Sequence, residues 1–252
     1  MLTLKRIYLY AVLGIALAVM LVGLTDVVRV AFDRAGDILD SRSYVSEDMR
    51  TELSWALALV IVATPVFLVH LGLVRRSLRG PAVTAADERA CASRATYFFI
   101  VLVATGFVAG MRLVELGETL IGTLAYGHRA WELGASAAGS LVIGSAWLAH
   151  VWARRRDLYA APEHTAGDWL TRGYLYGALF TAALLACVGV GNVLTVVARS
   201  LLDLRPAWES TIWWEDELAW AVALMLVAAA AWAIHWVFSL RLLRAAPPLG
   251  EA

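Results

Sequence analysis

The sequence predicts an all-α protein, a six-helix transmembrane bundle made of three tandem two-helix hairpins. Three observations support this class. The 252 residues are 61% hydrophobic with a mean hydropathy of +0.70, whereas about half of the residues in a soluble protein are apolar. The apolar residues are concentrated in six long runs, and a pattern of polar and aromatic residues recurs three times along the chain. We therefore expect lipid to surround most of this chain.

The six apolar runs are each long enough to cross a membrane. They cover residues 7–27, 53–74, 95–114, 133–153, 173–198 and 218–240. A helix of about twenty residues, rising about 1.5 Å per residue, spans a hydrocarbon core of about 30 Å. The first run follows Lys5 and Arg6 but is too long for a secretory signal and lacks a small-residue cleavage site. It is interpreted as a retained helix, which residues 27–39 are expected to extend beyond the bilayer.

The runs pair into three modules, residues 1–80, 81–160 and 161–252, because the same spacing recurs in each. A tyrosine precedes a polar residue by eighteen positions in the first helix of each module: Tyr8 and Asp26, Tyr97 and Glu115, Tyr174 and Asn192. A glutamate precedes a histidine by the same spacing in each second helix: Glu52 and His70, Glu132 and His150, Glu217 and His235. Eighteen residues make five helical turns and about 27 Å. Each pair therefore marks the two ends of one membrane span.

The basic residues predict the orientation of the chain in the membrane. The N-terminus, residues 75–94 and 154–172 and the C-terminal tail together contain 13 of the 21 basic residues but 6 of the 21 acidic ones. Because basic loops stay on the cytoplasmic side, both termini are expected in the cytoplasm and the acidic face outside. The zero net charge is thus the sum of two oppositely charged surfaces, and it does not favour nucleic-acid binding.

The inner layer of the repeated spacing contains the strongest candidate site. It consists of three tyrosines and three histidines on the cytoplasmic side: Tyr8, Tyr97, Tyr174, His70, His150 and His235. Tyrosine, tryptophan and arginine are typical of the headgroup level, so membrane anchoring is one interpretation. A hydrogen bond between tyrosine and histidine within each module is another. Three converging imidazoles would bind a divalent metal and two would bind haem, although no carboxylate is expected near this layer to orient the imidazoles.

The outer layer is expected to be mainly structural. It contains Asp26, Glu115, Asn192, Glu52, Glu132 and Glu217. The last three are placed at helix N-termini, where a carboxylate complements the helix dipole. Arg29 follows Asp26 by three residues and Arg112 precedes Glu115 by three, and both spacings allow a neutralising pair on one helix.

Small residues predict where helices approach closely. Gly106 and Gly110 share one face of the third span, and Ser136, Ser140 and Gly144 share a face of the fourth. In a membrane such faces allow backbones to pack against each other. The sequence therefore predicts a compact bundle rather than a wide aqueous pore.

Short motifs in the first and third modules resemble those of a known family. Residues 6–10 read Arg-Ile-Tyr-Leu-Tyr and 65–70 read Pro-Val-Phe-Leu-Val-His, with echoes at 172–176 and 232–236. They resemble an uncharacterised bacterial family of integral membrane proteins, a domain of unknown function built from Tyr-Leu-Tyr and Pro-Val-Trp-x-x-His-Trp hairpins. The resemblance covers nearly the whole chain in three copies. The middle copy departs most, with Phe99, Ser145 and Val151 at motif positions. The resemblance implies a helical fold in a bacterial inner membrane, and no activity.

The leading functional prediction is a non-enzymatic, multi-pass membrane protein, a structural or accessory subunit of a membrane complex. No phosphate loop, H-E-x-x-H or G-x-S-x-G motif occurs in the sequence. The expected partners are the lipid bilayer and other membrane-protein subunits. Three alternatives remain open, of which one is an envelope sensor that would use the acidic outer loops. Another is a redox protein that binds haem or a metal through the histidine layer. The third is a transporter of small solutes or ions, which would need a polar site at the midplane, where these helices carry mainly Ala, Leu, Val and Gly.

Overall fold

The computed structural model describes residues 2–39, 47–127, 130–160, 168–202 and 213–245. Within these ranges the chain forms seven α-helices and no strand. The helices are α1 (Leu2–Leu39), α2 (Glu47–Leu78), α3 (Ala82–Ala90), α4 (Ala92–Tyr126), α5 (Ala130–Ala160), α6 (Asp168–Leu201) and α7 (Trp213–Ala245). All but α3 are long and apolar enough to cross a membrane. The predicted all-α class and six long helices are confirmed.

The six long helices extend beyond the apolar runs that predict them. Alanine and leucine favour helix, and the apolar runs contain a single interior proline, Pro65, within the continuous helix α2. A helix satisfies its backbone hydrogen bonds internally, which a segment in lipid requires. Polar residues at either end continue the helices by several residues, and α1 reaches Leu39. The expected extension of the first helix is confirmed.

The short helix α3 is the element that the sequence did not predict. It lies in the segment 75–94, which was expected to be a loop because it is too polar and too short to read as a span. Pro81 precedes its first turn, a position that suits the fixed φ of proline. The chain becomes extended again at Cys91. Ala85 and Glu88 are buried, so α3 is packed against the helices rather than exposed as a connection.

Contacts divide the chain into two compact units. The first contains residues 1–112 and 129–171, and the second contains residues 113–128 and 172–252. In the first unit α1 packs against α2 and α5, and α2 contacts α3. In the second unit Val114 of α4 packs with Ala223 and Leu224 of α7, and Leu185 of α6 contacts this cluster. The two module boundaries, after residues 80 and 160, stay a prediction.

Two glycines allow close approach between helices. A Cβ at Gly23 would lie 2.8 Å from the carbonyl oxygen of Ala56, so a side chain here would separate α1 from α2. A Cβ at Gly189 would lie 2.8 Å from the backbone nitrogen of Met225, which places the same requirement on α6 and α7. Glycine at these positions therefore determines how closely these helix pairs pack.

The predicted small-residue faces are correct at one position and wrong at two. The Ser140 hydroxyl donates a hydrogen bond to the Arg112 carbonyl at 2.9 Å, which joins α5 to α4 as expected. Gly110 and Gly144 have no heavy atom within 4 Å of the position that a Cβ would occupy. Small-residue spacing also occurs on helix faces without a neighbour, and the sequence does not distinguish the two cases.

Candidate functional site

The tyrosine and histidine layer forms hydrogen-bonded pairs in the second and third modules. The Tyr97 hydroxyl lies 2.9 Å from Nε2 of His150, and the Tyr174 hydroxyl lies 3.2 Å from Nε2 of His235. Each pair joins the two helices of its module. The predicted hydrogen bond is confirmed in these two modules.

The first module departs from this pattern. The ring centroids of Tyr8 and His70 lie 6.1 Å apart with a tilt of 57°, so the two residues make a ring contact instead of a hydrogen bond. Tyr8 is also largely exposed. The three modules therefore share the residues of this layer but not its hydrogen bonding.

The backbone determines which nitrogen of each histidine carries the proton. Nδ1 lies 2.7–2.8 Å from the carbonyl oxygen four residues earlier in His70, His150 and His235. A carbonyl only accepts, so Nδ1–H donates, and in the neutral ring Nε2 is left as the acceptor. In His150 and His235 that acceptor receives the tyrosine O–H. A metal or haem iron bound at Nε2 would have to displace this hydrogen bond.

The histidine layer does not offer a metal centre within the part of the chain that the structure describes. There, no three His, Cys, Asp or Glu side chains form a group that could hold a metal ion. The hypothesis of three converging imidazoles therefore has no geometric support among these residues.

A buried polar network, which the sequence did not predict, lies in the first unit. The Tyr10 hydroxyl donates to Glu88 Oε1 at 2.6 Å, and Arg94 Nη1 donates to the Tyr10 oxygen at 3.1 Å. Arg94 Nε donates to Asp157 Oδ2 at 2.6 Å. These four residues, between 3% and 5% exposed, are called the α1–α3–α4–α5 network after their helices. Arg6 at its edge donates to Glu88 Oε2 at 3.0 Å.

The network adjoins the Tyr97–His150 pair. The rings of Tyr10 and Tyr97 have centroids 5.5 Å apart, and the Arg94 guanidinium carbon lies 5.0 Å from the centroid of Phe98, a cation–π distance. The two carboxylates of the network bond to Tyr10 and Arg94 and reach the tyrosine and histidine layer only through these two residues.

The sequence did not predict these two buried carboxylates, for a local reason. Glu88 belongs to the unpredicted helix α3, and Asp157 lies two turns beyond His150, past the end of the apolar run. Arg94 is the residue that could have indicated this network in the sequence. It lies one turn before Tyr97 at the beginning of a predicted span, and an arginine buried there requires an acidic partner.

The thiol of Cys91 lies at the end of α3 beside this network. It is half-buried, and burial raises the pKa of the thiol above its ordinary value. The thiol is therefore protonated and weakly nucleophilic at neutral pH.

The outer layer forms ion pairs between the helices of a module. Arg29 donates to Glu52 at 3.0 Å and lies 3.6 Å from Asp33. Arg29 makes these two contacts in place of the predicted pair with Asp26. Helix α1 continues beyond the apolar run, so Asp33 lies one turn after Arg29 on the same helix. In the third module Arg199 donates to Glu217 at 3.4 Å.

The other outer residues occupy helices as follows. Glu132 lies in the first turn of α5, as expected for a carboxylate that complements the helix dipole. Glu52 lies beyond the first turn because α2 already begins at Glu47, so its predicted N-terminal position is wrong. Glu115 lies within α4 and Asn192 within α6.

Over the residues that the structure describes, the fold defines the class of this chain as a multi-pass helical bundle with six helices of membrane-spanning length. Residues 6–125 match the family described as a domain of unknown function (DUF5671). The predicted resemblance to an uncharacterised family is confirmed. The match includes Tyr8, His70 and Tyr97 and ends before His150, whereas the sequence motifs suggested a resemblance over nearly the whole chain. No curated protein and no solved structure matches the chain significantly.

Proposed function

We propose that this chain is a non-enzymatic, multi-pass protein of the bacterial inner membrane that serves as a structural or accessory subunit of a membrane complex. The observation that supports this role most directly is the α1–α3–α4–α5 network. Its buried side chains, Tyr10, Glu88, Arg94 and Asp157, bond to one another across four helices. Their donors and acceptors stabilise helix packing, whereas a catalytic or transport site presents such groups to a substrate.

The membrane location is supported by the outward-facing side chains of the helices. Along the apolar window of α2, 11% of the residues are buried, and Ile61, Val62 and Leu68 are exposed. An exposed apolar surface of this length is stabilised by lipid. Trp152 is also exposed, with the guanidinium carbon of Arg156 at 4.7 Å from its ring centroid. This pair suits the headgroup level, where tryptophan and arginine are enriched.

The orientation, with both termini in the cytoplasm, is supported by the distribution of the basic residues. It is tested with reporter fusions at Arg79 and at the C-terminus, which should both be active only as cytoplasmic reporters. A fusion in the segment 40–46 serves as the matched control and should report the opposite side. Activity of the C-terminal fusion outside the cytoplasm would contradict this orientation.

The subunit role is tested on the full-length chain in native membranes. Alkaline carbonate should leave the protein in the membrane, and mild detergent should release it in an assembly larger than the 27.4 kDa chain with its detergent. Native electrophoresis followed by mass spectrometry measures both size and composition. Release by carbonate would contradict the membrane location, and migration as a single chain in every mild detergent would contradict the subunit role.

The haem or metal alternative has a separate test. Purified protein is expected to show no Soret absorption and no stoichiometric metal, because Nε2 of His150 and His235 accepts a tyrosine hydrogen bond. A Soret band that disappears in His235→Ala would favour the redox protein over the accessory subunit. The transporter alternative would be favoured by saturable flux in reconstituted vesicles that Asp26→Asn abolishes.

A further inference from the structure

The first helices of the first and third modules share an arginine and a tyrosine one turn apart. Arg6 and Tyr10 lie on α1, and Arg172 and Tyr176 lie on α6. In both helices the tyrosine follows the arginine by four residues, so the two side chains lie on one helix face. The second module has Phe99 in place of this tyrosine. Among the first helices of the three modules, the arginine–tyrosine face thus occurs in two.

In the first module this face binds a short acidic helix. Arg6 donates to Glu88 Oε2 at 3.0 Å and also to Asp87, and the Tyr10 hydroxyl donates to Glu88 Oε1 at 2.6 Å. Both acidic residues belong to α3. Tyr10 is 3% exposed, covered by α3 together with Arg94 and Tyr97 of α4. The geometry shows how an arginine–tyrosine face recognises two adjacent carboxylates on a helix.

In the third module the equivalent face is exposed. Tyr176 is 54% exposed, and Arg172 is also exposed. Gly173 and Gly177 lie on this face, and neither has a heavy atom within 4 Å of the position that a Cβ would occupy. Phe180, one turn further along α6, is 71% exposed. A second backbone could therefore approach α6 closely here, beside a tyrosine hydroxyl and a guanidinium.

We propose that this surface of α6, formed by Arg172, Gly173, Tyr176, Gly177 and Phe180, binds a short helix of a partner protein that carries two adjacent carboxylates. The guanidinium and the tyrosine O–H would donate to the carboxylates, as Arg6 and Tyr10 do to Asp87 and Glu88 of α3. The proposal names a partner chemistry for the accessory subunit proposed above and rests on that role. It does not require Arg172 to be unpaired, because a guanidinium has five donors and Arg6 itself binds two carboxylates.

The test places a photo-reactive amino acid at Phe180 in the full-length chain in native membranes, which keeps Arg172 and Tyr176 intact. Leu194, 62% exposed on the same helix, receives the same amino acid as the matched control. The Phe180 probe is expected to cross-link to another protein, at a helical segment with two adjacent acidic residues. Arg172→Glu should lower the cross-link yield by about tenfold or more, since a charge-assisted hydrogen bond is replaced by repulsion. The Leu194 probe should not form this cross-link.

Charge reversal completes the test. Replacing the two mapped carboxylates with lysine should restore the cross-link in the Arg172→Glu chain and weaken it in the original chain. Cross-linking only to lipid, to the same chain or to a segment without adjacent carboxylates would overturn the proposal, as would a yield unchanged by Arg172→Glu. Native electrophoresis of the original chain separates this failure from that of the subunit role. A larger assembly that persists after such a result means that this surface, and not the accessory role, is wrong.

Discussion

The buried ion pair between Arg94 and Asp157 predicts a large loss of stability when one partner is neutralised. The two side chains are 6% and 7% exposed, and Arg94 Nε lies 2.6 Å from Asp157 Oδ2. Asp157→Asn leaves a buried guanidinium without its counter-charge, and breaking such a pair destabilises a protein by about 3–5 kcal/mol. At about 2–4 °C per kcal/mol for a chain of this size, the midpoint of thermal unfolding should fall by roughly 6–20 °C.

The matched control is the exposed pair of Arg29 and Glu52, whose side chains are 46% and 53% exposed with an N–O distance of 3.0 Å. Glu52→Gln should change the unfolding free energy by less than about 1 kcal/mol, because water already screens these charges. Both variants are measured by thermal unfolding in one detergent, with helical circular dichroism as the signal.

A double variant separates charge burial from general damage to the fold. Arg94→Met combined with Asp157→Val removes both charges and keeps the summed side-chain volume of the pair similar. It should recover most of the stability that Asp157→Asn loses, since an apolar pair often replaces a buried ion pair without loss. The reasoning would be refuted if Asp157→Asn lost no more stability than Glu52→Gln.

The remaining predictions concern the tyrosine layer and helix packing. Removing a tyrosine hydroxyl should lower the free energy of unfolding most in Tyr97→Phe, by about 1–3 kcal/mol, less in Tyr174→Phe, and hardly at all in Tyr8→Phe. Only Tyr97 and Tyr174 donate to a histidine, and Tyr97 is buried. Equal effects in chemical denaturation would contradict this order. Gly189→Ala should destabilise by about 1–3 kcal/mol through a clash with α7, whereas Gly191→Ala, in open space, should be neutral or slightly stabilising. The same thermal assay compares the two, and a destabilising Gly191→Ala would refute the packing argument.

The long helices and the tyrosine–histidine pairs could be predicted because their signals are local. A run of about twenty apolar residues predicts a helix that is long and apolar enough to span a membrane, whatever surrounds it. A tyrosine and a histidine at matching depths in neighbouring helices also meet if the hairpin forms, as Tyr97 and His150 do. The first module shows the limit of this argument, since Tyr8 and His70 match in spacing but make only a ring contact. Spacing specifies depth, while the rotation of each helix about its axis decides whether two polar atoms meet.

The α1–α3–α4–α5 network could not be predicted for a related reason. Its partners are separated by 78 residues between Tyr10 and Glu88 and by 63 between Arg94 and Asp157. Both carboxylates lie outside the apolar runs, where charged residues are expected to face water. Burial of Glu88 depends on α3 packing against the other helices, and a charged residue in a polar helix of nine residues carries no local signal of burial.

The sequence by itself determined that this chain is all-α, that six helices have the length to span a membrane, and that similar residues recur at equal spacing along these helices. These properties follow from composition and helical geometry, which act over a few turns of one chain segment. Only the tertiary structure decided which polar groups are buried together, why Gly189 must lack a side chain while Gly191 need not, and that Tyr10 is covered by α3 while Tyr176 is exposed. Those outcomes depend on which face of each helix meets a neighbour, a choice that packing makes among several faces of similar apolarity.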